Sequence, residues 1–139
     1  MILECLFNKI ENVDAVYSEY IKQYIHQTEV ALEIGKEYVV YGIVFRSNVP
    51  WFYVCEEESD DYPRLHFSGF FNLIDPKVSS VWEVNYSTKA NNITHILPGE
   101  WNADPSFYEN LVEGNEAEKE IFQRLKSFID TEARSRKLL

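Results

Sequence analysis

Tyr38-Val39-Val40-Tyr41-Gly42-Ile43-Val44-Phe45 holds four β-branched and three aromatic residues and no charged side chain. A segment of that composition is a strand apolar on both faces, and such a strand is covered from both sides. Within Glu37–Arg46 it is the first of four strand-like runs, followed by Trp51–Glu56, Arg64–Phe71 and Ser79–Ser87. Asn48 with Pro50, an acidic stretch with Pro63, and Asp75 with Pro76 punctuate them. The intervals admit hairpins and leave no room for crossover helices, so the expected sheet is an antiparallel meander of about four strands. In the last run Trp82, Val84 and Tyr86 alternate with Glu83 and Asn85, which implies a partly wet face.

Helical periodicity flanks the strands. From Asn12 to Gln27, Val13, Val16, Tyr17, Tyr20, Ile21, Tyr24 and Ile25 recur at three- and four-residue spacing, which predicts an amphipathic helix lying on the sheet. Thr88–Ala103, with Asn91, Asn92, Pro98 and Gly99, is expected to be a loop. Asp104-Pro105 predicts the cap and first position of a short helix that Gly114 ends. Asn115-Glu116-Ala117-Glu118 predicts the start of another, with Ile121, Phe122, Leu125, Phe128 and Ile129 on its apolar face. Arg134, Arg136 and Lys137 complement its negative end. The expected fold is a single α+β domain over residues 1–139, its meander packed by the N-terminal helix and two C-terminal helices.

A hydrophobic content of 45% in 139 residues suffices for a packed core and excludes a disordered acidic tail. The formal net charge is −10. Residues 116–137 carry six basic and five acidic side chains, so the acidity belongs to the body of the chain. A field of that sign repels nucleic acid and anionic membranes and attracts basic proteins, although acidity also serves solubility. Cys5 and Cys55 are unrelated to any metal-like spacing and are expected to be reduced. The N-terminal residues have no basic stretch ahead of an apolar one, and no run is long enough to span a membrane. A cytoplasmic location is the expectation.

No motif points to catalysis. The histidines are His26, His66 and His95, without metal-ligand spacing. Ser68-Gly69 lies in a strand rather than at a nucleophile turn, and the five glycines are scattered singly, so no phosphate loop is present. No catalytic residue, cofactor or metal is expected.

Two stretches are candidate contact surfaces. Glu56-Glu57-Glu58-Ser59-Asp60-Asp61 places five carboxylates in six residues. It is either a solvated hairpin tip or a surface whose self-repulsion a basic partner relieves, and partner binding is the expectation, through Glu56, Glu57, Glu58, Asp60 and Asp61. Ile96–Tyr108 sets Trp101 in a Pro/Gly loop with Glu100 and Asp104, followed by Phe107 and Tyr108. Glu100, Trp101, Asp104 and Tyr108 have the composition of a binding hot spot; alternatively Trp101 and Phe107 pin the loop to the sheet.

With its size, acidity, helix–meander–helix order and the stretch Thr94-His95-Ile96-Leu97-Pro98-Gly99-Glu100-Trp101 leading into Asp104-Pro105, the chain resembles the small immunity proteins of bacterial polymorphic-toxin and contact-dependent growth inhibition systems. The resemblance implies a cytoplasmic, non-enzymatic, stoichiometric inhibitor that binds one toxin domain, often a basic nuclease, at its active site or substrate groove. Two rivals stand beside it. One is a small-molecule-binding or hydrolytic domain using Tyr41, Tyr53, His66 and Glu83 on the aromatic sheet face; the other is a structural adaptor with an exposed apolar face. The oligomeric state is open.

Overall fold

The Tyr38–Phe45 run serves two sheets, which is why it is apolar on both faces. In the computed structural model, which describes residues 1–86 and 93–137, the run divides into β2 (Glu37–Val39) and β3 (Gly42–Arg46). The Val40 amide donates to the Met1 carbonyl in one sheet, and the Tyr41 amide donates to the Tyr53 carbonyl in the other. Tyr38, Val40 and Ile43 enter one hydrophobic core, while Tyr41 and Val39 face a second.

The larger sheet has five antiparallel strands. β3 pairs with β4 (Val49–Val54) and β4 with β5 (Arg64–Phe67). On the opposite side of β3 lie β8 (Thr94–Pro98) and then β7 (Trp82–Asn85) at the edge. Ser47 and Asn48, both at positive φ, form the tight β3–β4 turn. The smaller sheet places β1 (Ile2–Cys5) between β2 and β6 (Phe71–Asp75), also antiparallel.

The α+β character thus matches the sequence, and the antiparallel pairing holds, but the four runs do not form one four-stranded meander. Glu37–Arg46 is two strands in two sheets. Arg64–Phe71 is interrupted by a 3-10 turn, Ser68–Phe70, after which the chain switches sheets into β6. Gly69 permits that switch, because a Cβ there would stand 2.2 Å from Cε2 of the wholly buried Phe67. Of the Ser79–Ser87 run only Trp82–Asn85 is strand, and Ser87 lies outside the described residues. The expected Thr88–Ala103 loop contains β8 and the one-turn helix α2 (Gly99–Asn102). Its residues 88–92, Asn91 and Asn92 among them, also lie outside the described residues.

The expected N-terminal helix is replaced by two 3-10 turns, Ile10–Asn12 and Ala15–Tyr17, and by the single-turn α1 (Ser18–Ile21). The Asp14 carboxylate accepts a hydrogen bond from the Val16 amide at 3.0 Å and starts a new turn there. The tyrosines are then held by tertiary contacts. The Tyr20 hydroxyl donates to the Arg46 carbonyl at 2.9 Å and accepts from Trp51 Nε1 at 2.7 Å. Such anchoring overrides a weak helical preference in a segment rich in β-branched and aromatic residues. Val13 and Ile21 are buried as the periodicity predicts, whereas Val16 is 76% exposed.

α3 (Phe107–Val112) starts two residues later than Asp104-Pro105 predicts. The Asp104 carboxylate accepts from the Ser106 amide at 2.9 Å, making the turn that leads into the helix. Gly114, at φ 88°, ends it. α4 (Glu116–Lys137) follows, and the Asn115 carbonyl accepts its first helical hydrogen bond, from the Lys119 amide. Phe122 and Ile129 enter the second core and Leu125 is also buried, but Phe128 is half exposed. At the buried contact between α4 and the Val40–Tyr41 seam, the Tyr41 hydroxyl donates to Asp130 Oδ1 at 2.6 Å and Lys126 Nζ donates to Asp130 Oδ2 at 2.9 Å. Further along, the Glu132 carboxylate accepts from the Ser79 hydroxyl at 2.6 Å and the Ser80 amide at 3.0 Å, and Arg136 pairs with Asp75 at 3.0 Å.

Candidate functional site

The acidic stretch connects β4 to β5, and its carboxylates separate into two groups. Val54 pairs with Arg64, so Glu56, two residues beyond Val54, falls beside the β5 side chains. Glu56 turns inward, 3.3 Å from Arg64 Nε and 3.3 Å from His66 Nε2. The facing imidazole, with the nearby guanidinium, holds the Glu56 carboxyl below its ordinary pKa despite its partial burial. Lys36 donates to the Glu56 carbonyl at 3.1 Å. Asp60 is also structural, since its carboxylate accepts from the Glu57 amide at 3.0 Å and its own amide donates to the Glu57 carbonyl.

Glu57, Glu58 and Asp61 point to solvent. Asp61 lies 3.8 Å from Lys119 at the start of α4, and that lysine also approaches Glu116. The chain adds two carboxylates, Glu33 from the segment before β2 and Glu37 from its first position. Glu33 and Glu57 line one cavity of about 240 Å³, and Glu37 and Glu58 line another of about 270 Å³. Lys36 and Tyr38 line both cavities, with the lysine 5.1 Å over the tyrosine ring. The 56–61 loop, Glu33, Glu37 and the N-terminal turn of α4 thus bring their carboxylates to one side of the molecule, where Lys36, Lys119, Lys126 and Arg134 lie among them. Sequence separation concealed the contribution of Glu33 and Glu37.

The second candidate stretch is largely interior. Trp101 is 4% exposed, stacked with Tyr108 at 5.7 Å and 5° and with Phe107 at 5.6 Å and 28°, and 4.7 Å from the Tyr53 ring. The indole therefore pins α2 to the larger sheet and presents no face to a partner. Tyr108 is partly buried, and its hydroxyl donates to the Pro63 carbonyl at 2.8 Å. Glu100 is exposed and paired with Arg124; exposed Asp104 holds the turn before α3. Nothing brings Glu100 or Asp104 to the acidic loop.

Tyr41, Tyr53, His66 and Glu83 do not converge either. Tyr41 faces α4 beside the larger of those two cavities, and Tyr53 packs on Trp101 and Tyr108. His66 is buried behind Glu56, and Glu83 lies over Gly99. Burial pushes the Cys55 thiol up to about 12 and also raises that of Cys5. Both cysteines are free, and their burial leaves neither poised as a nucleophile. Among the described residues no cluster of three metal-ligating side chains occurs, and no helix is long and apolar enough to cross a membrane.

Comparison of the chain with protein-family models, with curated proteins and with solved structures finds no match.

Proposed function

We propose that this protein is a binding inhibitor of the immunity type, acting in the cytoplasm without catalysis, that neutralises a basic toxin domain of nuclease type. The observation that carries the proposal is the exposed acidic surface: Glu57, Glu58 and Asp61 on one loop, with Glu33 and Glu37 beside it. Carboxylates so placed occupy positions that substrate phosphates take in a nuclease groove. In a chain of net charge −10 they also accelerate encounter with a basic partner. The loop has the internal order such a role requires, since Glu56 and Asp60 anchor it and leave the other three carboxylates displayed. The contact surface is the loop rather than Trp101.

The test is affinity capture with the product of the gene immediately upstream, at low and high salt, using the wild type and a Glu57→Ser, Glu58→Ser, Asp61→Ser variant. Tight, salt-sensitive binding of a basic domain that is toxic when expressed alone is expected. The variant should bind at least about tenfold more weakly, with a shallower salt dependence. Equal affinity and equal salt dependence in the two proteins would show that the loop is not the contact.

A further inference from the structure

We propose that the cavity between Arg46 and Arg64 is a binding site for a small organic carboxylate. This site is distinct from the acidic surface and does not depend on its role. The cavity, about 360 Å³, opens between the N-terminal segment and strands β3 to β5. That volume falls near the lower end of the range, from about 300 Å³, of pockets that take small molecules.

Arg46 is the unusual residue. Its guanidinium carbon stands 5.0 Å over the Tyr24 ring and 4.8 Å over the Trp51 ring. The two rings restrain the group from two sides, and a guanidinium so held can present the fork that a carboxylate accepts in bidentate fashion. Among the described residues no carboxylate pairs with Arg46, whereas Arg64, Arg124 and Arg136 each have one. Across the cavity, Arg64 holds Glu56 at 3.3 Å and donates to the Tyr62 hydroxyl at 3.2 Å.

His66 lines the same space, with its Nε2 turned toward Glu56. His66 is 7% exposed, and its Nε2 has no aligned hydrogen-bond partner. Its approach to Glu56, at 3.3 Å, is an ion-pair distance without hydrogen-bond alignment.

Charge then selects the ligand. Two guanidinium groups and one carboxylate line the cavity, leaving one positive charge in surplus in a chain of net charge −10. One anionic group compensates it; a second would meet Glu56. Ile25, Val30 and Leu65 also line the cavity and favour an apolar body attached to that group.

Benzoate, titrated into the full chain and followed by NMR at the His66 imidazole and the Trp51 indole, tests the site. Benzamide serves as the uncharged control, and Arg46→Met and Arg46→Lys as variants. Saturable shifts centred on His66 and Trp51 at millimolar benzoate are expected, with no comparable response to benzamide. Affinity should fall at least about tenfold in Arg46→Met, with the lysine variant intermediate. No shifts, shifts centred elsewhere, or equal responses to benzoate and benzamide would overturn the proposal. These outcomes are read on the wild type and hold even where a variant does not fold.

Discussion

Replacing Tyr41 by Phe removes one hydroxyl from the buried contact between α4 and the strand seam, and its effect follows from the geometry. The hydroxyl donates to Asp130 at 2.6 Å, and Tyr41 and Asp130 are 4% and 8% exposed. Water does not readily replace the lost donor, and a hydrogen bond to a charged group contributes about 1.5–3 kcal/mol. With an unfolding entropy near 2.1 cal/mol/K per residue, a chain of 139 residues has about 0.3 kcal/mol/K. A loss of about 2 kcal/mol therefore lowers Tm by about 7 °C. Lys126→Met, which leaves the Asp130 carboxylate buried without its counterion, should destabilise by more, about 3–5 kcal/mol.

Calorimetry with urea denaturation measures both, and a double-mutant cycle between Tyr41→Phe and Asp130→Asn isolates the pair. Alkaline pH adds an independent check. Burial, with Asp130 beside it, raises the Tyr41 pKa. Above about pH 10 the unfolded chain releases that proton while the fold retains it, so stability falls as pH rises. Tyr41→Phe should remove about one proton's share of that slope, about 1.4 kcal/mol per pH unit. A loss below about 0.5 kcal/mol at neutral pH, with no measurable coupling to Asp130, would refute the view that this contact anchors α4.

Gly69→Ala should destabilise by about 1–3 kcal/mol in urea titration, since its Cβ would press on Phe67, whose ring is held by Phe70, Trp51 and Tyr20; a neutral result would mean that the ring can move. At Asp75 burial opposes ionisation, but the Lys77 amide and Arg136 outweigh it and lower the pKa. Stability from that pair is present above about pH 4 and lost as pH falls through the depressed value, so Arg136→Gln should be weaker than wild type by about 1 kcal/mol at pH 7, with the gap closing progressively as pH falls below about 4. A gap that persists in acid would assign the effect to packing. With its thiol near 12, Cys55 is ionised to about one part in ten thousand at pH 8, and should react with a disulfide reagent about a thousandfold more slowly than in denaturant. Rapid titration of both thiols in the native protein would contradict the burial described.

The parts of the molecule legible in the sequence are those set by local pattern. Strands β2, β3, β5 and β7 lie within the predicted runs, β4 starts two residues ahead of its run and takes in Pro50, which the sequence reads as a turn, and α4 begins at the predicted Asn115 cap, because composition and capping act over a few residues. The partition into two sheets was not legible, since no Gly or Pro separates Val40 from Tyr41 and the switch depends on Met1 and Tyr53 as remote hydrogen-bond partners. β1 was hidden for the same reason, and β8 because Pro98-Gly99 gives it the composition of a loop. In the N-terminal segment, periodicity identified most of the residues that bury but not the backbone that buries them. At the candidate site the loop's acidity could be read directly. The inward turn of Glu56, the approach of Glu33 and Glu37, and the enclosure of Trp101 are consequences of packing between distant segments.

Because β1 is the central strand of the smaller sheet, that sheet cannot assemble in the order of synthesis. Leu3 needs Tyr38 on one side and Leu73 on the other. Between those partners the chain must build β3, β4 and β5 into the larger sheet and cross back. A first strand with one edge still open, the edge that β6 will cover, therefore waits through much of folding, exposed to association with other chains. The closure it awaits is long in sequence, which places this protein among slower folders for its size. Its vulnerability to aggregation should accordingly be kinetic, greatest during refolding and relieved by dilution, rather than a property of the finished surface.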